Sequence, residues 1–241
     1  MFIIQLAGIR IRVENRYPYV QKLCEKYLCQ GDEYAFSVSA TEEEITEEMA
    51  DGEFPAPYCE GICVYRHITE KMPDFNTFLM HSSIIEVDGN AYAFAAKSGV
   101  GKSTHTALWL KNIPHAKVLN GDKPLIHMDE DGTAIAYGTP WNGKENWGEN
   151  TSAPLRAVCF IERGKVNTIE KIPQSEAISR ICHQLYLRGE RDSVVKQLSL
   201  MNDLLKAVPF YLLHCNISDE AALVAYNAMK YTSTNNESEE K

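Results

Sequence analysis

The residues best suited to chemistry stand in one run, Lys97-Ser98-Gly99-Val100-Gly101-Lys102-Ser103-Thr104. Closely spaced glycines let backbone N–H groups curl inward, and a lysine followed by hydroxyls adds a cation and oxygen ligands. That set suits a phosphate. The N–H groups of Ser98, Gly99, Val100 and Gly101 cradle its oxygens, and Lys102 neutralises charge on the β- and γ-phosphates of a nucleotide. Ser103 offers a hydroxyl to Mg²⁺, with Thr104 as a further donor. Ala96 replaces the usual first glycine of such a pattern, which predicts a wider mouth to the loop.

A phosphate loop does not by itself select a reaction, so the side chains that face the γ-phosphate decide. Asp122 closes the segment Val118-Leu119-Asn120-Gly121-Asp122. A carboxylate there can bind Mg²⁺ or take a proton from an attacking hydroxyl, and it can equally be a turn aspartate before Lys123-Pro124. His81 can donate to a phosphate oxygen or be an ordinary strand-end histidine. Glu162 ends an apolar strand as a metal-binding acid might, although strands commonly end in a charge. His105 reads as a helix-face residue. Cys59 and Cys63 lack a second pair at metal-ligand spacing, so they read as core thiols and not as a zinc site.

The elements that position these groups follow from local patterns. Phe78 to Val87 and Ala91 to Ala96 read as strands around the turn Asp88-Gly89-Asn90, which sets His81 opposite Ala96 at the mouth of the loop. A helix follows the glycines, with Ala107, Leu110 and Ile113 on one face and Pro114 at its close. A second hairpin, Leu125 to Met128 with Thr133 to Tyr137, is centred between Glu130 and Asp131, which sets Asp122 opposite Thr139. The polar, aromatic loop from Trp141 to Asn150 then shares an end of the sheet with Asp122. Leu155 to Ile161 is a buried strand. Helices are expected over 175–187, 192–206 and 220–230, with a strand over 210–213.

Ahead of this part, Phe2 to Val13 reads as one strand, Tyr19 to Leu28 as a helix and Tyr34 to Ser39 as a strand. Thr41 followed by Glu44 predicts a capping box and a solvated helix start. Residues 52–58 read as loop, and Ile62 to Lys71 as a strand and helix. The organisation expected is a small α+β region over 1–72, a larger α/β domain over 73–231 and a disordered tail over 232–241.

The chain has 241 residues with 33 acidic and 24 basic side chains, a formal net charge of −9, which disfavours nucleic-acid partners. At 44% hydrophobic and 24% charged it is an ordinary globular composition. No run approaches a bilayer span and Arg10 and Arg12 interrupt the opening segment, so neither a membrane nor a secreted state is expected. Seven scattered cysteines point to a reduced, cytoplasmic protein.

His81 ahead of a hairpin, the loop Ser98 to Ser103 and the segment Asn120-Gly121-Asp122-Lys123-Pro124 together resemble the HPr kinase/phosphorylase family. These are bacterial serine kinases related to the nucleotide-binding part of phosphoenolpyruvate carboxykinases. The runs HSSIIEVDGNAYAF, SGVGKSTHTALWL, GDKPL and YGTPWNGKEN resemble a branch of small HPr-kinase-like proteins over most of the chain. The likeness to the HPr kinases proper covers about residues 78 to 165. It implies an α/β, P-loop domain of the HPr-kinase/carboxykinase type with a mixed sheet, plus the small N-terminal region.

The same resemblance implies ATP and Mg²⁺ as cofactors, with Ser103 and an acidic residue on the metal, Asp122 as base and His81 near the transferred phosphate. Two departures stand out. The family has two adjacent aspartates where this chain has Gly121-Asp122, and its later signature is replaced by Trp141-Asn142-Gly143-Lys144-Glu145-Asn146. Lys144 and Glu145 are the phosphate and metal partners that this replacement offers. HPr is then not the expected acceptor, and a carboxykinase, about twice as long, is not expected either. Kinases of that family assemble as oligomers, so a homo-oligomer belongs to the expectation.

The reading is an ATP-dependent kinase acting on a hydroxyl of a small molecule or of a serine on a peptide or protein. Its rivals are a nucleotide-gated interaction module that has lost catalysis with the second aspartate, and an NTPase that uses water.

Overall fold

The structure is a computed structural model that describes residues 1–187 and 189–230. The expected disordered tail, 232–241, lies outside the described residues. The chain opens with a three-stranded sheet of β1 (Phe2–Leu6), β2 (Ile9–Glu14) and β3 (Phe36–Ser39), with β2 antiparallel to β1 and parallel to β3. The single strand expected over Phe2 to Val13 is therefore a hairpin, turned at Ala7 and Gly8, both at positive φ. Burial changes phase across that turn, from Phe2, Ile4 and Leu6 to Ile11 and Val13. A strand cannot change phase without a turn or bulge.

Three helices pack with this sheet: α1 (Pro18–Leu23), α2 (Glu42–Asp51) and α3 (Ala56–Lys71). The capping box at Thr41 forms, with Glu44 N–H donating to Thr41 Oγ1 at 3.2 Å and Thr41 N–H to Glu44 Oε2 at 2.8 Å. The loop expected over 52–58 ends at Pro55, and its last three residues and the strand expected from Ile62 are instead part of α3. Pro57 suits a first helical turn, where its missing N–H has no partner to lose. The β-branched residues Ile62, Val64, Ile68 and Thr69 suggested a strand, but burial of Cys59, Cys63, Val64 and Ile68 follows helical spacing. The buried carboxylate of Glu60 accepts from the N–H groups of Arg16 and Tyr17, fixing α3 to the start of α1.

The remainder builds a nine-stranded mixed sheet. Its strands are β4 (Thr77–Leu79), β5 (Ser83–Val87), β6 (Asn90–Ala95), β7 (Lys117–Asn120), β8 (Leu125–Met128), β9 (Ala134–Tyr137), β10 (Ser152–Arg163), β11 (Thr168–Ile172) and β12 (Phe210–Cys215). The long β10 joins two halves: Ser152 to Pro154 pair antiparallel with β9, and the rest pairs parallel with β6 and β12. Helices α5 (Gln174–Cys182) and α6 (Arg191–Ala207) cover one face, and α4 (Lys102–Asn112) and α7 (Glu220–Met229) cover the other. Strand β6 shows why its sequence is continuously apolar: Ala91, Ala93 and Ala95 enter one core while Tyr92 and Phe94 enter the other. The chain is thus a mixed α/β protein.

Several expected positions shift. Phe78 to Val87 is not one strand, because β4 pairs with β8 whereas β5 pairs with β6 and β7, and the chain breaks between them at His81 and Ser82. Ser83↔Phe94 is the last pair toward the loop, so His81 does not face Ala96. The second hairpin pairs Leu125 with Tyr137, one residue off the expected register. Its turn is a three-residue loop closed by Asp129 and Thr133, with Gly132 at positive φ, and such a loop moves every pair by one. On α4 the buried residues are His105, Thr106 and Trp109, while Ala107 and Leu110 face outward.

Candidate active site

The turn from Lys97 to Gly101 joins β6 to α4. Gly101 stands ahead of the first helical residue at φ +127°, a conformation that residues with a Cβ rarely adopt. Its carbonyl accepts the His105 N–H at 2.9 Å, which starts the helix. Arg163, at the end of β10, donates from Nε to the Val100 carbonyl at 3.2 Å and from Nη2 to the Gly99 carbonyl at 2.6 Å. With carbonyls held from the β10 side, the turn has a fixed shape. Nothing in the sequence pattern pointed to Arg163.

Asp122 is positioned by its own chain. Asn120, fully buried at the end of β7, accepts the N–H groups of Asp122 at 2.9 Å and Lys123 at 2.7 Å on its side-chain oxygen. Its amide nitrogen donates to the Thr139 carbonyl and hydroxyl, both at 3.1 Å. The Asp122 carboxylate then meets His81 Nε2 at 2.9 Å and Lys102 Nζ at 3.1 Å, both on Oδ1. Three elements far apart in sequence, the β4–β5 break, the start of α4 and the end of β7, converge on this one oxygen.

Burial works against the charged carboxylate, but the His81 hydrogen bond and the Lys102 ammonium outweigh it and hold the Asp122 carboxyl at about 2. Burial also lowers Lys102, with Asp122 opposing. The loop of residues 138–150 folds over the same place. Gly121 N–H donates to the Trp147 carbonyl at 2.8 Å, and a Cβ on Gly121 would lie 2.7 Å from the Asn142 carbonyl oxygen. The backbone of this loop therefore occupies the space that a second aspartate at 121 would need. A Cβ on Gly143 would sit 3.1 Å from Asp122 Cβ and 3.7 Å from Glu145 Oε2, so the glycine leaves open a gap bordered by both acids.

Lys102, Ser103, Asp122, Lys144 and Glu145 border one cavity of about 790 Å³. His81 joins them through Asp122. Gly99, Val100, Gly101 and Thr104 border a separate cavity of about 380 Å³ on the other side of the turn, and Ser98 is exposed at its tip. Glu162 belongs away from the cluster, paired with Arg180 at 2.6 Å. His105 is buried, accepts Trp109 Nε1 at 3.0 Å, and burial lowers it to about 4. The cavity of about 790 Å³ also has a wall that sequence reasoning missed: Tyr19, Phe54, Tyr58 and Tyr65 of the N-terminal region, with Trp141. The Tyr65 hydroxyl is buried, with the Thr69 hydroxyl near it. Burial holds this phenol well above its usual value, with the Thr69 hydroxyl drawing it down and the Asp122 carboxylate pushing it further up.

A hydroxyl and two carboxylates fit Mg²⁺ held jointly with phosphate oxygens, the usual arrangement for that ion. Among the described residues no group of three or more His, Cys, Asp or Glu side chains could hold a metal alone. No helix among the described residues is long and apolar enough to cross a membrane.

Fold and site together define a mixed α/β protein in which a lysine at the start of a helix and a histidine-bound aspartate meet at a large cleft, with a glycine turn ahead of that helix. The chain belongs to the family of the SynChlorMet cassette protein ScmC, whose model matches residues 61–221. The curated proteins hold no sequence match. Among solved structures the chain is similar to the Hpr(Ser) kinase/phosphatase from Coxiella burnetii, at 8% identity over 63% of this chain and 88% of that one, with a TM-score of 0.39.

Proposed function

We propose that this chain binds ATP with Mg²⁺ and transfers the γ-phosphate to a hydroxyl. The observation that carries the reading is the Asp122 carboxylate shared by His81 Nε2 (2.9 Å) and Lys102 Nζ (3.1 Å), beside a glycine turn that opens a helix. The backbone N–H groups of the turn and Lys102 hold the phosphates, and preorganised donors of this kind supply most of the stabilisation in phosphoryl transfer. Ser103, Asp122 and Glu145 are the residues for Mg²⁺, which would neutralise charge on the phosphate oxygens. Glu145 supplies the second acid that position 121 has no room for.

In the step itself the acceptor oxygen attacks the γ-phosphorus, the bond from that phosphorus to the β,γ-bridging oxygen breaks and ADP leaves. The acceptor proton goes to Asp122. A carboxyl held at about 2 is a weak base while Lys102 pairs with it. When Lys102 turns to the phosphates, its share of that restraint is relieved, while His81 keeps the carboxylate aimed.

The test is label transfer from γ-labelled ATP with Mg²⁺, using purified protein with a desalted extract and a pooled metabolite fraction. Asp122→Asn is expected to keep ATP affinity while cutting transfer at least about a hundredfold. Unaltered turnover in that variant sinks the base. ATP binding without transfer or hydrolysis turns the reading to a nucleotide-gated module, and phosphate release without an acceptor turns it to an NTPase.

A further inference from the structure

The cavity that contains Lys102 and Asp122 is two-sided. One side is polar and charged; the other carries two groups of aromatic rings. Phe54 and Tyr58 lie 5.0 Å apart between ring centres at the rim, and Tyr58 is 6.2 Å from Tyr19. Deeper in, Tyr65 and Trp141 lie 5.0 Å apart, and Lys123 Nζ stands 4.9 Å from the Tyr65 ring centre. Trp141 is fixed by its Nε1 donating to the Gly61 carbonyl at 3.1 Å. Phe54 is 50% exposed and Tyr58 38%. Exposed aromatic rings grouped around a cleft, beside groups able to do chemistry, are the composition of a small-molecule site.

Tyr65 closes the inner end of this wall: it lines the cavity while only 5% exposed, with its hydroxyl turned out of solvent contact. A volume of about 790 Å³ lies within the range of cavities that enclose one small molecule, which favours such an occupant over a protein surface.

We infer that the acceptor is a small hydroxyl-bearing molecule with an aromatic body, whose ring packs against Phe54, Tyr58 and Trp141. The inference rests on the phosphotransfer reading for its chemistry. Apolar stacking sets which alcohol is held, and Asp122 takes the proton of the hydroxyl that the stacking brings to the γ-phosphorus.

The experiment uses the full chain and two probes, 2-(4-fluorophenyl)ethanol and 4-fluorotoluene, titrated by ¹⁹F NMR, with ATP affinity measured in parallel by calorimetry. The alcohol is expected to bind saturably. Phe54→Ala and Tyr58→Ala, both at exposed positions, each weaken it by about fivefold or more. 4-Fluorotoluene, which has the ring without the hydroxyl, is weakened in step by the same two variants. ATP affinity stays as in the parent for both. Absence of saturable binding of the alcohol, or rim variants that bind it like the parent, overturns the inference even when ATP binds. Failure of the parent to bind ATP overturns the phosphotransfer reading, whatever the ¹⁹F titration gives.

Discussion

The ammonium of Lys102 faces Asp122 at 3.1 Å, so a phosphate arriving at the glycine turn competes with that carboxylate for the same cation. The proposed reaction turns on that exchange: of the two partners that lower the Asp122 carboxyl, His81 would stay and Lys102 would leave when a nucleotide enters. A different kind of pH dependence belongs to His105, buried under the same helix. Burial lowers it from 6.5 to about 4, so between those values the unfolded chain takes up a proton that the folded chain refuses. Stability therefore falls as pH drops through that window, by up to about 3 kcal/mol from this group. His105→Gln, whose amide oxygen can still accept from Trp109 Nε1, is expected to remove that part of the slope. Urea midpoints from pH 7 to pH 4.5 check it, and parallel slopes for the parent and the variant refute it.

Between elements, the contact that matters most is the loop of residues 138–150 lying on the end of β7. Leu119 O accepts Glu149 N–H at 3.1 Å and Trp147 O accepts Gly121 N–H at 2.8 Å, so the loop is laced to the strand that carries Asp122. Restoring the second aspartate by Gly121→Asp therefore does not restore a twin-acid site. The new Cβ meets the Asn142 and Trp147 carbonyl oxygens at 2.7 and 3.2 Å, and backbone does not move aside as a flexible side chain does. The variant is expected to lose about 2 kcal/mol or more by urea unfolding and to transfer less phosphate than the parent. A stable and more active Gly121→Asp would disprove the packing argument.

On the scale of the whole molecule, three cores are joined and not separate. The N-terminal core, from Phe2 to Met72, also contains Leu79 and Leu125, with Tyr137 and Trp141 packed against it. The N-terminal region thus covers the β4–β8 edge of the large sheet and supplies the aromatic wall of the cleft. Residues 73–241 produced alone would expose that edge, and each buried leucine uncovered forfeits about 2 kcal/mol. Such a fragment is expected to bind a hydrophobic dye and to unfold without a sharp transition. Cooperative unfolding at the parent's midpoint would show instead that the large sheet is self-sufficient.

Local signals in the sequence were enough for whatever local physics decides. The glycine spacing before Lys102, the capping box at Thr41, the Asp88-Gly89 turn and the apolar run of β6 are short-range patterns, and each forms as its residues require. Register and contact across the chain were not local. A three-residue turn in place of a two-residue one moved the second hairpin by one position, and the break at His81 appeared because β4 and β5 pair with different strands. Sequence singled out His81, Lys102 and Asp122 one at a time; only the fold put His81 and Lys102 on one Asp122 carboxylate oxygen. The aromatic wall was invisible for the same reason, since Tyr19, Phe54 and Tyr65 border one cavity with Asp122 only when the N-terminal region packs against the large sheet, and tertiary packing has no signature in residue spacing.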